Sequence, residues 1–165
     1  MGIKPKFTPT DISNMLQDHL DRINGGLISI FQRVGEEFAR DAKNGVNISG
    51  AFPKGDYTDQ TANLRSSIGY VVMHDGAIIA QNFERFDPSL NRVVQENLVN
   101  SFGLKWVLMG CAGMDYASYL ESRGYNVITS QSMVAMVDLS DRVKKFVKDD
   151  YPGANIQFAG VSSIL

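Results

Sequence analysis

Ile68-Gly69-Tyr70-Val71-Val72-Met73-His74-Asp75-Gly76-Ala77-Ile78-Ile79-Ala80-Gln81-Asn82-Phe83 is the stretch that decides the fold. Residues 66–73 alternate in polarity and place Ile68, Tyr70 and Val72 on one face of a strand. A second β-rich run extends from Ala77 to Phe83. Asp75-Gly76 lies between the two runs. A type I′ turn needs positive φ at both central positions, and Asp-Gly tolerates this better than most pairs. The reading is a β-hairpin, paired locally and antiparallel.

Upstream, Thr10 and Asp11 are helix-start residues. Apolar residues then recur at Ile12, Leu16, Leu20, Ile23, Leu27, Ile30, Val34 and Phe38. Steps of three and four put all eight on one face of a long helix. Gly25-Gly26 lies off that face, and each glycine weakens a helix by roughly 1 kcal/mol relative to alanine. A kink or brief break is expected there, and Asn44-Gly45 supplies the stop. Residues 45–58 hold Gly45, Gly50, Pro53 and Gly55 and read as a long loop, with Ile48 and Phe52 as apolar anchors for a neighbouring surface.

Downstream, Asp87-Pro88 opens a helix over residues 88–101, with Leu90, Val93, Val94, Leu98 and Val99 inward and Gly103 at its end. Leu104 to Met109 reads as a buried strand. Asp115 is placed to cap a short helix from Tyr116 to Arg123, which Gly124 closes. Tyr125 to Thr129 reads as a further strand. A last helix starts at Ser130 or Ser132, with Met133, Val137, Val143 and Val147 on one side and Met136, Leu139 and Phe146 flanking. Tyr151-Pro152-Gly153 breaks it. Helices segregated around a hairpin give an α+β fold: a long N-terminal helix, an antiparallel or mixed sheet containing the hairpin, and helices packed on it. Residues 1–153 form a single domain. Residues 154–165 are an apolar tail carrying Ile156, Phe158, Val161, Ile164 and Leu165, expected to dock on a neighbour because free tails fray.

The chain has 165 residues, enough for one core and short for two. Its 16 basic and 18 acidic residues give a net charge of −2, whereas a protein that clamps DNA phosphates carries a basic excess. The densest basic run is Lys144, Lys145 and Lys148. Cys111 is the single cysteine, so no internal disulfide forms, which fits a reducing compartment such as a bacterial cytoplasm. Neither a signal-peptide segment nor an apolar run of about 18 residues is found, so no membrane partner is expected.

A nucleophile needs a base within hydrogen-bond reach, and the only pairings on offer are Cys111 with His74 or His19. Gly110-Cys111-Ala112-Gly113 follows an apolar strand and can be read as a nucleophile turn, or as a small buried residue among glycines needed for tight packing. The second reading is preferred. His74 reads as a turn residue and His19 as an exposed residue on the polar side of the helix. No paired HxxxH or CxxC spacing supplies a metal site, and Glu36-Glu37 and Asp149-Asp150 read as solvated acidic pairs. No phosphate loop is found, since Gly25-Gly26 lacks a preceding strand. No cofactor and no catalytic residue is expected.

Two segments carry a resemblance. Asp59-Gln60-Thr61-Ala62-Asn63-Leu64-Arg65-Ser66-Ser67-Ile68 is similar to the TGxLRxSI segment of the phage head–tail connector family, also called tail-completion or minor tail proteins. There, too, the segment leads from a first helix into a hairpin. Tyr116-Ala117-Ser118-Tyr119-Leu120-Glu121 resembles the family's YAxYVE segment. The order and spacing agree over roughly residues 10–130. Two departures stand out: Ala62 replaces the usual glycine, and residues 124–128 replace a segment containing proline and arginine.

Read physically, Thr61 or Asn63 bonds nearby backbone and fixes the turn, while Leu64 and Ile68 seat the strand. Ser67 precedes the strand. Ala117 and Leu120 face inward, with Tyr116 and Tyr119 flanking them. Arg65 and Glu121 are expected to pair, within one subunit or across two, the alternative being that both are solvated.

The resemblance implies a structural protein of the virion, made in the host cytoplasm. It would form a ring of identical subunits in the neck or tail, stacked on portal, adaptor or tail-tube proteins. DNA would pass through the channel without sequence readout. A weakly acidic subunit suits such a channel. Ile48, Phe52, Ile156, Phe158, Val161 and Leu165 are the expected interface residues. The competing readings are a small thiol hydrolase using Cys111 and a monomeric host adaptor protein.

Overall fold

Thr8 starts the first helix two residues before the expected site. Its hydroxyl accepts from the Asp11 N–H at 3.2 Å, and the Asp11 carboxylate accepts from the Thr8 N–H at 2.8 Å. This reciprocal pair is a capping box, and Pro9 occupies the first turn, where a missing N–H costs nothing. The helix, α1, spans Pro9–Lys43. It ends where expected, with Gly45 at φ 65°. The structure, a computed structural model, describes residues 8–45, 63–83, 106–114 and 116–158. The expected loop at 45–58 with Ile48 and Phe52 (Gly45 apart), the helix at 88–101, Thr61, the Asp115 cap, Val161 and Leu165 lie outside those residues.

The remaining elements are α2 (Asn63–Ser67), β1 (Ile68–His74), β2 (Ala77–Asn82), β3 (Trp106–Ala112), α3 (Tyr116–Ser122) and α4 (Thr129–Asp150). The chain is α+β: a long N-terminal helix, a three-stranded antiparallel sheet in the order β2-β1-β3, and further helices. Asp75 at φ 48° and Gly76 at φ 80° make the turn that their sequence called for. β1 is central and pairs Ile68 with Ala112 and His74 with Trp106 on one side. Its register with β2 shifts between Val72 and Met73, leaving Ile79 as the extra residue of a bulge.

Because β1 is central, both of its faces are buried. Ile68, Tyr70 and Val72 meet Phe31, Phe38, Ala39 and Ala42 of α1, together with Leu64, Ala112, Ala117, Val127, Ile128 and Val143. Val71 and Met73 join Met109 and Cys111 on the other face. α1 lies close against the sheet at Gly35, where a Cβ would stand 2.4 Å from Cδ2 of Tyr70. Glu36 then ties the helix to two strands: the Tyr70 hydroxyl donates to Oε1 at 2.9 Å and Asn82 Nδ2 donates to Oε2 at 2.7 Å. Burial, with this hydrogen bond and the Glu36 charge, pushes the Tyr70 phenol up to about 12.

Several expectations need correction. α1 runs through Gly25-Gly26 without a break. Gly26 is on a packing face, since a Cβ there would lie 2.3 Å from Cζ of Phe146 in α4. The stripe of eight apolar residues divides along its length: Val34 and Phe38 are buried, while Ile12, Leu16 and Leu20 are more than half exposed. Periodicity shows that a face exists, not that the same chain covers it. β3 reaches Ala112, so Cys111 lies inside a strand rather than in a turn after it. Tyr125–Thr129 is not a strand: residues 125–128 connect into α4, which Thr129 begins. In α4 itself, Met133, Met136 and Val137 are exposed, and the inward residues among the described ones include Ala135, Leu139 and Val143.

Candidate functional site

The two resembling segments, some fifty residues apart in sequence, contribute to one hydrophobic core, with Leu64 and Ile68 from the first and Ala117 and Leu120 from the second. Ser67 accepts a hydrogen bond from the Gly113 N–H at 3.1 Å, immediately beside the Ile68–Ala112 pair. Leu64 and Ile68 are fully buried, as the seating of β1 requires. The Ser67 hydroxyl donates to the Leu64 carbonyl at 2.7 Å, and the Ser66 hydroxyl donates to that of Asn63 at 3.1 Å. Ala117 is buried and Leu120 packs on the same core, while Tyr116 and Tyr119 face outward. The Arg123 guanidinium stands 5.0 Å from the centre of the Tyr119 ring.

Glu121 behaves differently from its expected part. Its Oε1 accepts from the backbone N–H groups of Val127 at 3.2 Å, Ile128 at 2.8 Å and Thr129 at 3.0 Å, and its Oε2 accepts from the Thr129 hydroxyl. The N-cap residue of α4 is Ile128, whose own side chain cannot cap. A carboxylate delivered from α3 therefore satisfies donors at the α4 N-terminus and meets the positive end of its dipole. None of the hydrogen bonds that Glu121 makes among the described residues goes to Arg65. Within one chain, capping takes the place of the expected ion pair. Asn126, also buried, adds to the cap by accepting from the Ser130 N–H at 3.2 Å and hydroxyl at 2.8 Å.

Cys111 is buried, and burial pushes its thiol up to about 12. Cys111 pairs with Gly69, whereas His74 pairs with Trp106 at the other end of the same ladder, about 17 Å away at the rise of an antiparallel strand. His74 is half-buried and stacks on Trp106 with ring centres 4.2 Å apart. His19 meets the edge of Tyr151 at 5.1 Å. Gly110 admits the Phe38 ring, whose Cζ would stand 2.3 Å from a Cβ there. The cysteine is thus a packing residue between small neighbours. Among the described residues, no group of three or more His, Cys, Asp or Glu side chains is placed to hold a metal ion. No described helix is long and apolar enough to cross a membrane.

Sequence reading missed the acidic pair at 36–37. Glu37 joins α1 to α4 through Arg142, with Nη2 to Oε2 at 2.6 Å, and Arg142 also binds Asp138 at 2.8 Å. The available signal was the i, i+4 spacing of Asp138 and Arg142 beside an otherwise apolar face.

Among the described residues, the first half of α1 is left exposed. Every residue from Thr8 to Arg22 is exposed, and Ile12, Met15, Leu16 and Leu20 form a stripe along it. His19 against Tyr151 is a contact near the α4 end, so roughly three turns of helix project past it. Of the expected interface residues in the tail, Ile156 packs against the chain's own core and Phe158 is exposed beneath Lys144. No family model, curated protein or solved structure matches the chain.

Proposed function

We propose that this chain is a structural subunit of a ring in the neck or tail of a tailed bacteriophage, where copies of it join head to tail or complete the tail around the DNA channel. The observation that carries the reading is the projecting half of α1. A solvated helix of that length is marginal alone, and its four large apolar side chains at helical spacing suit another surface. The kind of assembly comes from the resemblance of residues 59–68 and 116–121 to the connector family. Support also comes from the shared core to which both segments contribute and from the Glu121 cap of the second. Cys111 is buried with its thiol pushed up, and His74 stands at the other end of the ladder, which weighs against the hydrolase reading.

The partners are copies of the same chain and the adjoining portal, adaptor or tail-tube layers. DNA is a transient, non-specific occupant of the channel. Heterologous contacts that close by rotation generate such rings. Negative-stain electron microscopy of the purified full chain tests this. Rings are expected for the natural sequence, and their loss is expected for Leu16→Asp with Leu20→Asp at unchanged thermal stability. Rings that persist in that variant would remove α1 from the contact. Single small particles at every concentration would favour a monomeric adaptor.

A further inference from the structure

The rim of the packed body cuts α1 at a definite place. Every residue from Thr8 to Arg22 is exposed, and Ile23 is the first that the body partly covers. Gly25-Gly26 follows within a turn. Glycine is the poorest helix former after proline, because it has the most backbone freedom to lose. Packing accounts for only one of the pair. Gly26 lies against the Phe146 ring, where a Cβ would stand 2.3 Å from Cζ, whereas a Cβ on Gly25 would meet nothing within 4 Å. Gly25 is exposed and has no positive φ, so neither crowding nor a turn calls for it. The Ser29 hydroxyl, one turn on and also exposed, donates to the Gly25 carbonyl at 3.0 Å. In an α-helix that carbonyl also accepts the Ser29 N–H. A serine bonded back in this way favours bending, and glycine and serine together mark places where helices kink.

We propose that Gly25 and Ser29 form a hinge at which the exposed arm, residues 8–22, bends against the body. The body end of the hinge is fixed: Leu27 and Ile30 pack on the core, and Gly26 holds its place against Phe146. α1 runs unbroken through the pair, so the bend lengthens ladder bonds without ending the helix. It also has a direction. At 100° per residue, Ile12, Leu16 and Leu20 lie within about 40° of the side opposite Gly25. Helices curve with their solvent-facing carbonyls tilted outward and those hydrogen bonds lengthened. When the ladder bond from Ser29 to Gly25 lengthens, the Ser29 hydroxyl still holds the carbonyl, and the arm tilts toward its own apolar stripe. The hinge thus presents that stripe over a range of angles while the body stays unchanged. The proposal concerns how the arm is carried and not what it meets, so it does not rest on ring formation.

Nitroxide labels on the full chain read the angle of the arm by pulsed electron paramagnetic resonance. One pair is Asn14→Cys with Lys145→Cys, and a control inside the body is Gln81→Cys with Lys145→Cys, both in a Cys111→Ala background. All three labelled positions are exposed. Every chain also carries Leu16→Asp with Leu20→Asp, which keeps the arm off any surface, and labelled chains are diluted with unlabelled ones so that only distances within one chain count. The arm pair is expected to give a distance distribution about twice as broad as the body pair. Gly25→Ala, whose added methyl meets nothing, is expected to narrow it to the width of the body pair. Ser13→Ala, which strengthens the arm helix away from the junction, is expected to leave it broad. An arm pair as narrow as the body pair would overturn the proposal, and so would equal widths with and without Gly25→Ala. Equal narrowing by Ser13→Ala would also overturn it, because the breadth would then come from fraying of the arm. Subunit mass, measured on the natural chain, bears on the ring and not on the hinge.

Discussion

Glu121 stands in a seven-residue helix yet does its work on the helix that follows. One carboxylate accepts three backbone N–H groups and a hydroxyl where Ile128 cannot cap. Its removal leaves donors at the start of α4 without a partner, and such losses cost about 1–2 kcal/mol. Glu121→Ala is therefore expected to lower the unfolding free energy by about 1–2 kcal/mol, read as a lower urea midpoint with little change in slope. Glu121→Gln, which keeps an acceptor oxygen, is expected to lose less. An unchanged midpoint for the alanine variant would remove the cap from the account. The residue identities in the resembling segments were legible in sequence, and so were the inward positions of Leu64, Ile68, Ala117 and Leu120. The partner of Glu121 was not. A carboxylate beside a distant arginine suggests an ion pair, and nothing in the residue types of 127–129 announces that their backbone needs an acceptor.

Elements were legible where local chemistry sets them. Asp75-Gly76 dictates its turn, Asn44-Gly45 its helix end, and the apolar period the existence of α1. Tyr125–Thr129 misled because Val127 and Ile128 are buried as in a strand, while their N–H groups go to Glu121 instead of a ladder. The junction of α1 and α4 was hidden in Glu36-Glu37, which looks solvated in sequence. Glu37 and Arg142 are less than a third exposed, so solvent limits their pairing to about 1 kcal/mol or less. Burial raises the Glu37 carboxyl, but hydrogen bonds from Arg142 and Arg33, with their charges, outweigh it and hold it below its ordinary 4.5. A depressed folded value means stability that is complete above the unfolded value and lost as pH falls through the folded one. Denaturation midpoints measured from neutral pH down through the carboxylate range are expected to decline less steeply in Glu37→Gln than in the natural chain. Parallel profiles would mean that Glu37 contributes nothing to the acid limb.

At the scale of the whole molecule, the described residues divide into a packed body and a projecting arm. The body is the three-stranded sheet with the second half of α1, α2, α3 and α4 on and around it. The arm is the first half of α1, continuous with the body through Gly25-Gly26 and apolar along one side. The α+β class followed from the hairpin and the segregated helices, but the arm did not, because an amphipathic stripe reads the same whether its own chain or another covers it. On the reading proposed above, the arm is the surface through which copies of the chain meet. Sedimentation equilibrium of the purified full chain over a wide concentration range tests this most directly. A closed oligomer is expected, with a mass that is an integral multiple of 18.2 kDa, and Leu16→Asp with Leu20→Asp is expected to reduce it to single subunits. A mass of 18.2 kDa at every concentration for the natural chain would contradict it.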